Sequence, residues 1–353
     1  MRLKRLNVYS IIITLLIVSL RGFLNFTWGD SEAFRVTEVL EHAPLRNVIP
    51  HAIFYNTKIF GEFVFSFLYY RNVFILADLI SDLSPLLRII NKKVLSYTVI
   101  ISLLSPISIL FTSFAGKDIL GIFLSSILCI DFLKIIKYKK TYNLNFLRII
   151  YLSSIITLLF ILRTLTGGFS LILFISILIY YKNLINPLIF KILVFIFLIF
   201  LTYNFNIIYS FFYDFFYYQL RASIVNNSTF TVINPFFKTN IFLNNLYQAL
   251  TCINLIHLQD SFIKGISLLI NHLLTYLPIT LYNFFLLLRK RKITIFVLLK
   301  IVFVAVYFLI YTFLAQTNPG AATRYFSSIL PLLVTYFCIV IPKDNQEIIN
   351  RSP

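Results

Sequence analysis

Two apolar stretches separated by a short turn decide the fold of this chain: VLSYTVIISLLSPISILFTSF at residues 94–114 and DILGIFLSSILCIDFLKII at residues 118–136. A helix needs about 20 mostly apolar residues to cross a bilayer, and each stretch is close to that length. Only Ala115, Gly116 and Lys117 lie between them. The sequence therefore predicts two neighbouring membrane-spanning helices that run in opposite directions.

The same pattern recurs along the whole chain, without a fixed-period repeat or a separate soluble domain. The predicted fold class is all-α: a polytopic integral membrane protein with about ten transmembrane helices in a single domain over residues 1–353. The predicted spans are 8–24, 59–80, 94–114, 118–136, 147–165, 167–182, 188–207, 264–288, 293–314 and 325–342.

The amino-acid composition also indicates a membrane protein. The chain is 59% hydrophobic and 12% charged, with a mean hydropathy of +0.88, whereas about 25% of the residues of a soluble domain are charged. The net charge of +18 would suggest nucleic-acid binding in a soluble protein. Here the basic residues concentrate in alternate connections, as the positive-inside rule requires. We therefore predict cytoplasmic termini, long outer connections near 25–58 and 208–263, and no nucleic-acid partner.

The first outer connection contains the acidic stretch Gly29-Asp30-Ser31-Glu32-Ala33-Phe34. A carboxylate can take a proton from a hydroxyl that attacks another group, so Asp30 and Glu32 are the candidate catalytic residues. Asp30 also precedes an amphipathic segment at the spacing of a helix N-cap. Capping of a helix that lies along the membrane interface is therefore the alternative interpretation, and the two roles are compatible.

Three basic residues are predicted at the same depth on the outer face: Lys117, Arg163 and Arg324. Lys117 stands beside the N-terminus of a predicted helix, where backbone N–H groups already attract anions, and arginine can bind phosphate oxygens bidentately. The three are candidate pyrophosphate-binding residues, although Lys117 has a snorkelling lysine as its alternative. Asp118 is expected to cap the fourth helix, and Arg163 is expected to open a small flexible turn that extends to Gly168.

The second predicted span contains three charged residues, Glu62, Arg71 and Asp78. Charged residues inside membrane spans pair with neighbouring helices or line ion and proton pathways. Both interpretations remain open for this span, and the second would suit a transporter.

The sequence predicts no metal site from its cysteine and histidine residues. The three cysteines show no CxxC spacing, and the four histidines lack the spacing of metal ligands. A divalent ion held by Asp30 and Glu32 is the metal alternative that stays open.

These motifs resemble those of bacterial membrane proteins that assemble surface polysaccharides: Wzy-type O-antigen or capsular polysaccharide polymerases, and the related multi-span GT-C glycosyltransferases. The resemblance lies in Gly29–Phe34 after the first span, Ser113–Asp118 between two spans, Arg163 with its small-residue turn, and Asn318–Tyr325 before the last span. The chain lacks the arginine-rich loop pattern of some Wzy polymerases and the paired aspartates of many GT-C enzymes.

The resemblance implies an enzyme that joins undecaprenyl-pyrophosphate-linked oligosaccharide repeat units at the outer face of the bacterial cytoplasmic membrane. Asp30, with Glu32, would activate a sugar hydroxyl, and Lys117, Arg163 and Arg324 would stabilise the departing pyrophosphate. Two alternatives stay open: a GT-C enzyme that adds one sugar from a polyprenyl-phosphate donor, and a flippase or transporter of lipid-linked oligosaccharides that uses the charges of span two. The implied partners are a polyprenyl-linked oligosaccharide, membrane lipid and other assembly proteins such as a chain-length regulator.

Overall fold

The computed structural model describes residues 3–23, 45–83, 91–138, 145–182 and 327–335, together with Ile192, Phe195, Ile196, Ile199, Phe200 and Tyr203. Its elements are α1 Leu3–Phe23, α2 Leu45–Leu83, α3 Lys92–Leu103, α4 Pro106–Thr112, α5 Lys117–Lys137, α6 Phe146–Leu162, α7 Thr164–Lys182 and α8 at residues 327–335. Every regular element in these ranges is a helix, which confirms the all-α class. Two of them, α2 and α5, are long and apolar enough to cross a membrane.

Most predicted spans that fall within the described residues coincide with helices. The spans predicted at 8–24, 118–136, 147–165 and 167–182 match α1, α5, α6 and α7 to within a few residues at each end. The described residues of the seventh and tenth predicted spans are also helical. The eighth and ninth spans lie outside the described residues, so the count of ten and the cytoplasmic location of both termini stay predictions.

The third predicted span, 94–114, was wrong as a single helix. The chain leaves the helical path at Leu104 and Ser105, and Pro106 begins α4, because proline has no N–H to continue the ladder but fits the first position of a helix. The carbonyl of Leu103 accepts hydrogen bonds from Ser108 Oγ at 2.6 Å and from Tyr69 Oη at 2.9 Å. These two hydroxyl groups supply hydrogen bonds to the last carbonyl of α3 inside the bundle, as a membrane helix that is broken by proline requires.

The second predicted span, 59–80, is the later part of a longer helix that is kinked at Lys58. Lys58 has φ 48° and ψ −131°, a conformation that side-chain-bearing residues rarely adopt. The preceding helical turns, 45–57, fall within the predicted outer connection. They pack over the start of α5, since the fully buried Phe54 belongs to one apolar cluster with Ala115 and Leu120.

Helices α2 and α5 lie side by side and run in the same direction. Contacts join Glu62 to Ala115, Asn72 to Ser126, and Asp82 to Lys137, with sequence separations of 53, 54 and 55 residues. A nearly constant separation over 20 residues requires a parallel pair in register. At 1.5 Å per residue the two ends of this contact lie about 30 Å apart, which matches the hydrocarbon thickness of a bilayer.

The neighbouring helices follow the directions that alternating spans predict. Helix α6 is antiparallel to α5, because ion pairs join Asp118 to Arg163 at one end and Asp131 to Arg148 at the other. Helix α8 is parallel to α5, since Ser125 Oγ donates to the Ser328 carbonyl at 2.9 Å and Thr335 lies beside Cys129. The charge pattern of the sequence predicts that the N-terminal end of α5 is the outer end, and we name the two ends of the bundle accordingly.

Candidate functional site

Three buried charged residues lie near the N-terminal end of α5, the predicted outer end of the bundle, and we call them the outer-end cluster: Glu62 from α2, Asp118 from the first turn of α5, and Arg163 from the end of α6. Their residue exposures are 0%, 5% and 4%. Arg163 Nη2 donates to Asp118 Oδ1, and Glu62 Oε1 accepts the backbone N–H of Ala115 at 2.8 Å. The cluster thus joins three helices through charge-assisted hydrogen bonds, which are the stronger kind.

The backbone at the start of α5 depends on Gly116. This residue is the N-cap of the helix and has φ 148° and ψ −174°, a region that is essentially restricted to glycine. The expectation that Asp118 caps the helix was wrong, because Asp118 is its second residue and directs its carboxylate to Arg163. A carboxylate in the first turn is still favoured by the helix dipole.

The turn after Arg163 is shorter than the sequence suggested. Only Arg163 separates α6 from α7, and the Gly167 N–H already donates to the Arg163 carbonyl at 2.9 Å in the first turn of α7, so the expected flexible turn to Gly168 was wrong. A Cβ on Gly167 would lie 2.6 Å from the backbone nitrogen of Phe160. The absence of a side chain at this position lets the two helices approach closely enough for the chain to reverse at Arg163.

Buried hydroxyl groups also tie the helices together. Thr166 Oγ1 and Ser328 Oγ lie 2.7 Å apart and join α7 to α8. Tyr70 Oη and Thr112 Oγ1 lie 2.8 Å apart and join α2 to α4. All four side chains are buried, so they provide hydrogen-bonding capacity within an apolar bundle, where buried polar groups must be paired.

A second group of charges, the inner-end cluster, lies at the opposite end of α2 and α5: Asp78, Asp82, Lys92 and Lys137. Lys92 Nζ lies 3.0 Å from Asp78 Oδ1 and also pairs with Asp82, while Lys137 Nζ lies 2.6 Å from Asp82 Oδ2. Their side chains are 23–48% exposed. Partial burial opposes ionisation, but the hydrogen bonds from Lys137 and Lys92 outweigh it and lower the pKa of Asp82.

Two of the five predicted site residues, Lys117 and Arg163, are among the described residues, and both lie near the N-terminal end of α5. Lys117 is the first residue of α5 and precedes Asp118, the partner of Arg163. Asp30, Glu32 and Arg324 lie outside the described residues, so their roles stay predictions.

The charges of span two do not form one group. Glu62 belongs to the outer-end cluster and Asp78 to the inner-end cluster, about 24 Å apart along the helix. The interpretation that the charges of span two pair with neighbouring helices is confirmed for Asp78, which pairs with Lys92 of α3, and Glu62 binds the backbone just before α5. Asp118 was predicted only as a helix cap. A comparison of the predicted depths of Glu62, Asp118 and Arg163 would have placed all three at the outer edge.

Within the described ranges, no group of three His, Cys, Asp or Glu residues is arranged to hold a metal ion. Comparison of the chain with protein-family models, with curated proteins and with solved structures found no match. The residues of the bundle therefore carry the functional argument by themselves.

Proposed function

We propose that this chain is a multi-pass protein of the bacterial cytoplasmic membrane that polymerises undecaprenyl-pyrophosphate-linked oligosaccharide repeat units at the outer face. The observation that carries the proposal is the outer-end cluster, in which the buried Arg163 pairs with Asp118 in the first turn of α5, directly after the basic residue Lys117. A helix N-terminus with a lysine and an arginine suits a ligand that carries a pyrophosphate.

In the proposed reaction a sugar hydroxyl of one repeat unit attacks the anomeric carbon of a chain that is linked to lipid pyrophosphate. Asp30, assisted by Glu32, takes the hydroxyl proton as the new carbon–oxygen bond forms. The bond from the anomeric carbon to the pyrophosphate oxygen breaks, and the lipid pyrophosphate leaves with the electron pair. Lys117, Arg163 and Arg324 stabilise the negative charge that develops on this leaving group.

Two other functions use the same residues differently. A GT-C glycosyltransferase would add one sugar from a polyprenyl-phosphate donor, with the three cations on a single phosphate. A flippase of lipid-linked oligosaccharides would rely on Glu62, Arg71 and Asp78. The contacts of Glu62 and Asp78 with different neighbouring helices favour a structural role for these charges.

The deciding experiment is an electrophoretic ladder of surface polysaccharide from cells with and without this gene. We expect the ladder to vanish while the single-repeat product persists, since only polymerisation is missing. Loss or shortening of the single repeat would contradict the proposal and indicate a single-sugar transferase or a flippase. The size of the accumulated lipid-linked intermediate separates these two outcomes.

The same polysaccharide ladder tests whether Asp30 acts as the catalytic base. We expect Asp30→Asn to abolish the ladder at unchanged protein abundance, because an amide cannot accept the hydroxyl proton. The matched control is Asp78→Asn, which makes the same change at a half-exposed side chain of the inner-end cluster and should keep the ladder. A full ladder in the Asp30→Asn strain would exclude Asp30 as the base.

A further inference from the structure

We propose that Asp118 is a positioning residue that holds the Arg163 guanidinium in place for the lipid pyrophosphate. This inference rests on the proposed function, in which Arg163 meets that pyrophosphate. The two residues are on different helices and lie in a buried contact between Asp118 Oδ1 and Arg163 Nη2. The side chain of Arg163 passes Gly121, whose added Cβ would lie 3.5 Å from Arg163 Cγ and from Ser328 Cβ. Gly121 of α5 therefore lies beside both the Arg163 side chain and Ser328 of α8.

Packing alone does not account for a charged pair at this position. The surroundings are apolar, since Phe54, Ile119 and Leu162 form one buried cluster beside it. Transfer of two charges out of water is unfavourable, and replacement of a buried ion pair by apolar side chains is often neutral or stabilising. A pair retained in such surroundings fixes the direction of the guanidinium, whose planar fork binds phosphate oxygens only in a defined orientation.

The orientation of the pair agrees with the dipoles of α5 and α6, whereas Arg163 also precedes the first residue of α7, whose dipole disfavours a positive charge there. Asp118 lies in the first turn of α5, where negative charge is favoured, and Arg163 follows the last residue of α6, where positive charge is favoured. A reversed pair would oppose both dipoles. The Asp118 carboxylate consequently lies on one fixed side of the Arg163 guanidinium.

The test is a double-mutant cycle on purified full-length protein in liposomes. Initial rates are measured against increasing concentrations of the undecaprenyl-pyrophosphate-linked single repeat, extracted from cells that lack this gene. We expect Asp118→Asn to raise KM on the order of 10-fold and to lower kcat as well, because Arg163 both binds the pyrophosphate and stabilises the charge that develops on it. In an Arg163→Met background, Asp118→Asn should have no further effect on KM.

The matched control is Asp131→Asn, which removes the charge from the other aspartate–arginine pair between α5 and α6 and should leave KM unchanged. If Arg163→Met does not accumulate, Arg163→Lys replaces it, because lysine keeps the charge but loses the planar fork. An unchanged KM in Asp118→Asn, or an equal increase in both backgrounds, would overturn the positioning role. An inactive wild-type protein would overturn the proposed function and this inference with it.

Discussion

Two aspartate–arginine pairs join α5 to α6, and they differ in their access to water. At the outer end, the side chains of Asp118 and Arg163 are 8% and 4% exposed, and the two groups are in direct contact. At the inner end, Asp131 and Arg148 are 13% and 29% exposed, with 3.7 Å between Oδ1 and Nη2. Aspartate and arginine thus join α5 to α6 at both ends, but the outer pair is less exposed to water than the inner pair.

This difference separates the roles that the two ends can have. Near the inner end, lysines and arginines remain partly solvated, so they can set the topology of the chain at little free-energy cost. At the outer end the charges are withdrawn from water, where their mutual interaction is stronger and the loss of one partner is more costly. This stronger coupling of the buried charges is the reason that we propose the functional site at the outer end.

The largest expected effect comes from breaking the outer pair. Arg163→Ala leaves the Asp118 carboxylate buried without the guanidinium and should lower the free energy of unfolding by about 3–5 kcal/mol. Arg148→Ala at the inner end should cost at most about 1 kcal/mol. Thermal unfolding of the two purified variants in detergent measures the difference between their losses of stability.

The comparison has an internal control in the double variant Asp118→Leu with Arg163→Met. This change removes both charges and keeps apolar volume, so it should recover most of the stability lost in Arg163→Ala. Equal losses in Arg163→Ala and Arg148→Ala would show that burial does not distinguish the two ion pairs.

A smaller effect is expected at the two adjacent glycines that follow Arg163. Gly167→Ala would bring a Cβ to 2.6 Å from the Phe160 backbone, and such overpacking typically costs about 1–3 kcal/mol. Gly168→Ala meets nothing within 4 Å and should stabilise α7 by about 0.5–1 kcal/mol, because alanine is the better helix former. Opposite shifts of the melting temperature are the expected result, and a stabilising Gly167→Ala would refute the close approach of α6 and α7.

The sequence predicted the long helices because the length and the apolar character of a span are local properties. Residues 118–136 were recognised as a helix from composition alone, and α5 differs from that prediction by one residue at each end. The break before Pro106 was missed because proline is tolerated within a membrane helix when neighbours satisfy the freed carbonyls. Here Tyr69, from a different helix, supplies one of these hydrogen bonds, and no local pattern reveals that.

The site was harder to predict because its residues come together only when three helices pack. Arg163 was selected as a cation at the outer edge, and the structure confirms its position at the end of α6. Its partner Asp118 had a local explanation as a helix cap, which concealed its contact with another helix. Glu62 was predicted to pair with a neighbouring helix or to line a proton pathway, but its partner Ala115 lies 53 residues further along the chain, where no local pattern identifies it.

The smallest expected effect is the pH dependence that arises from Asp82 in the inner-end cluster, outside the predicted spans. Hydrogen bonds from Lys137 and Lys92 outweigh the effect of partial burial and lower the pKa of Asp82 in the folded protein. A carboxyl group with a lowered pKa contributes stability that is complete above its unfolded pKa of about 3.9 and is lost as the pH falls through the folded value. Asp82→Asn removes this contribution, so the melting temperature of the variant in detergent should lie slightly below that of the wild type at pH 7 and converge with it in acid.

Because the side chains are partly exposed, the difference in the free energy of unfolding between the two proteins at pH 7 should stay at or below about 1 kcal/mol. A larger difference, or one that grows as the pH falls, would mean that the inner-end charges are as strongly coupled as the buried outer pair.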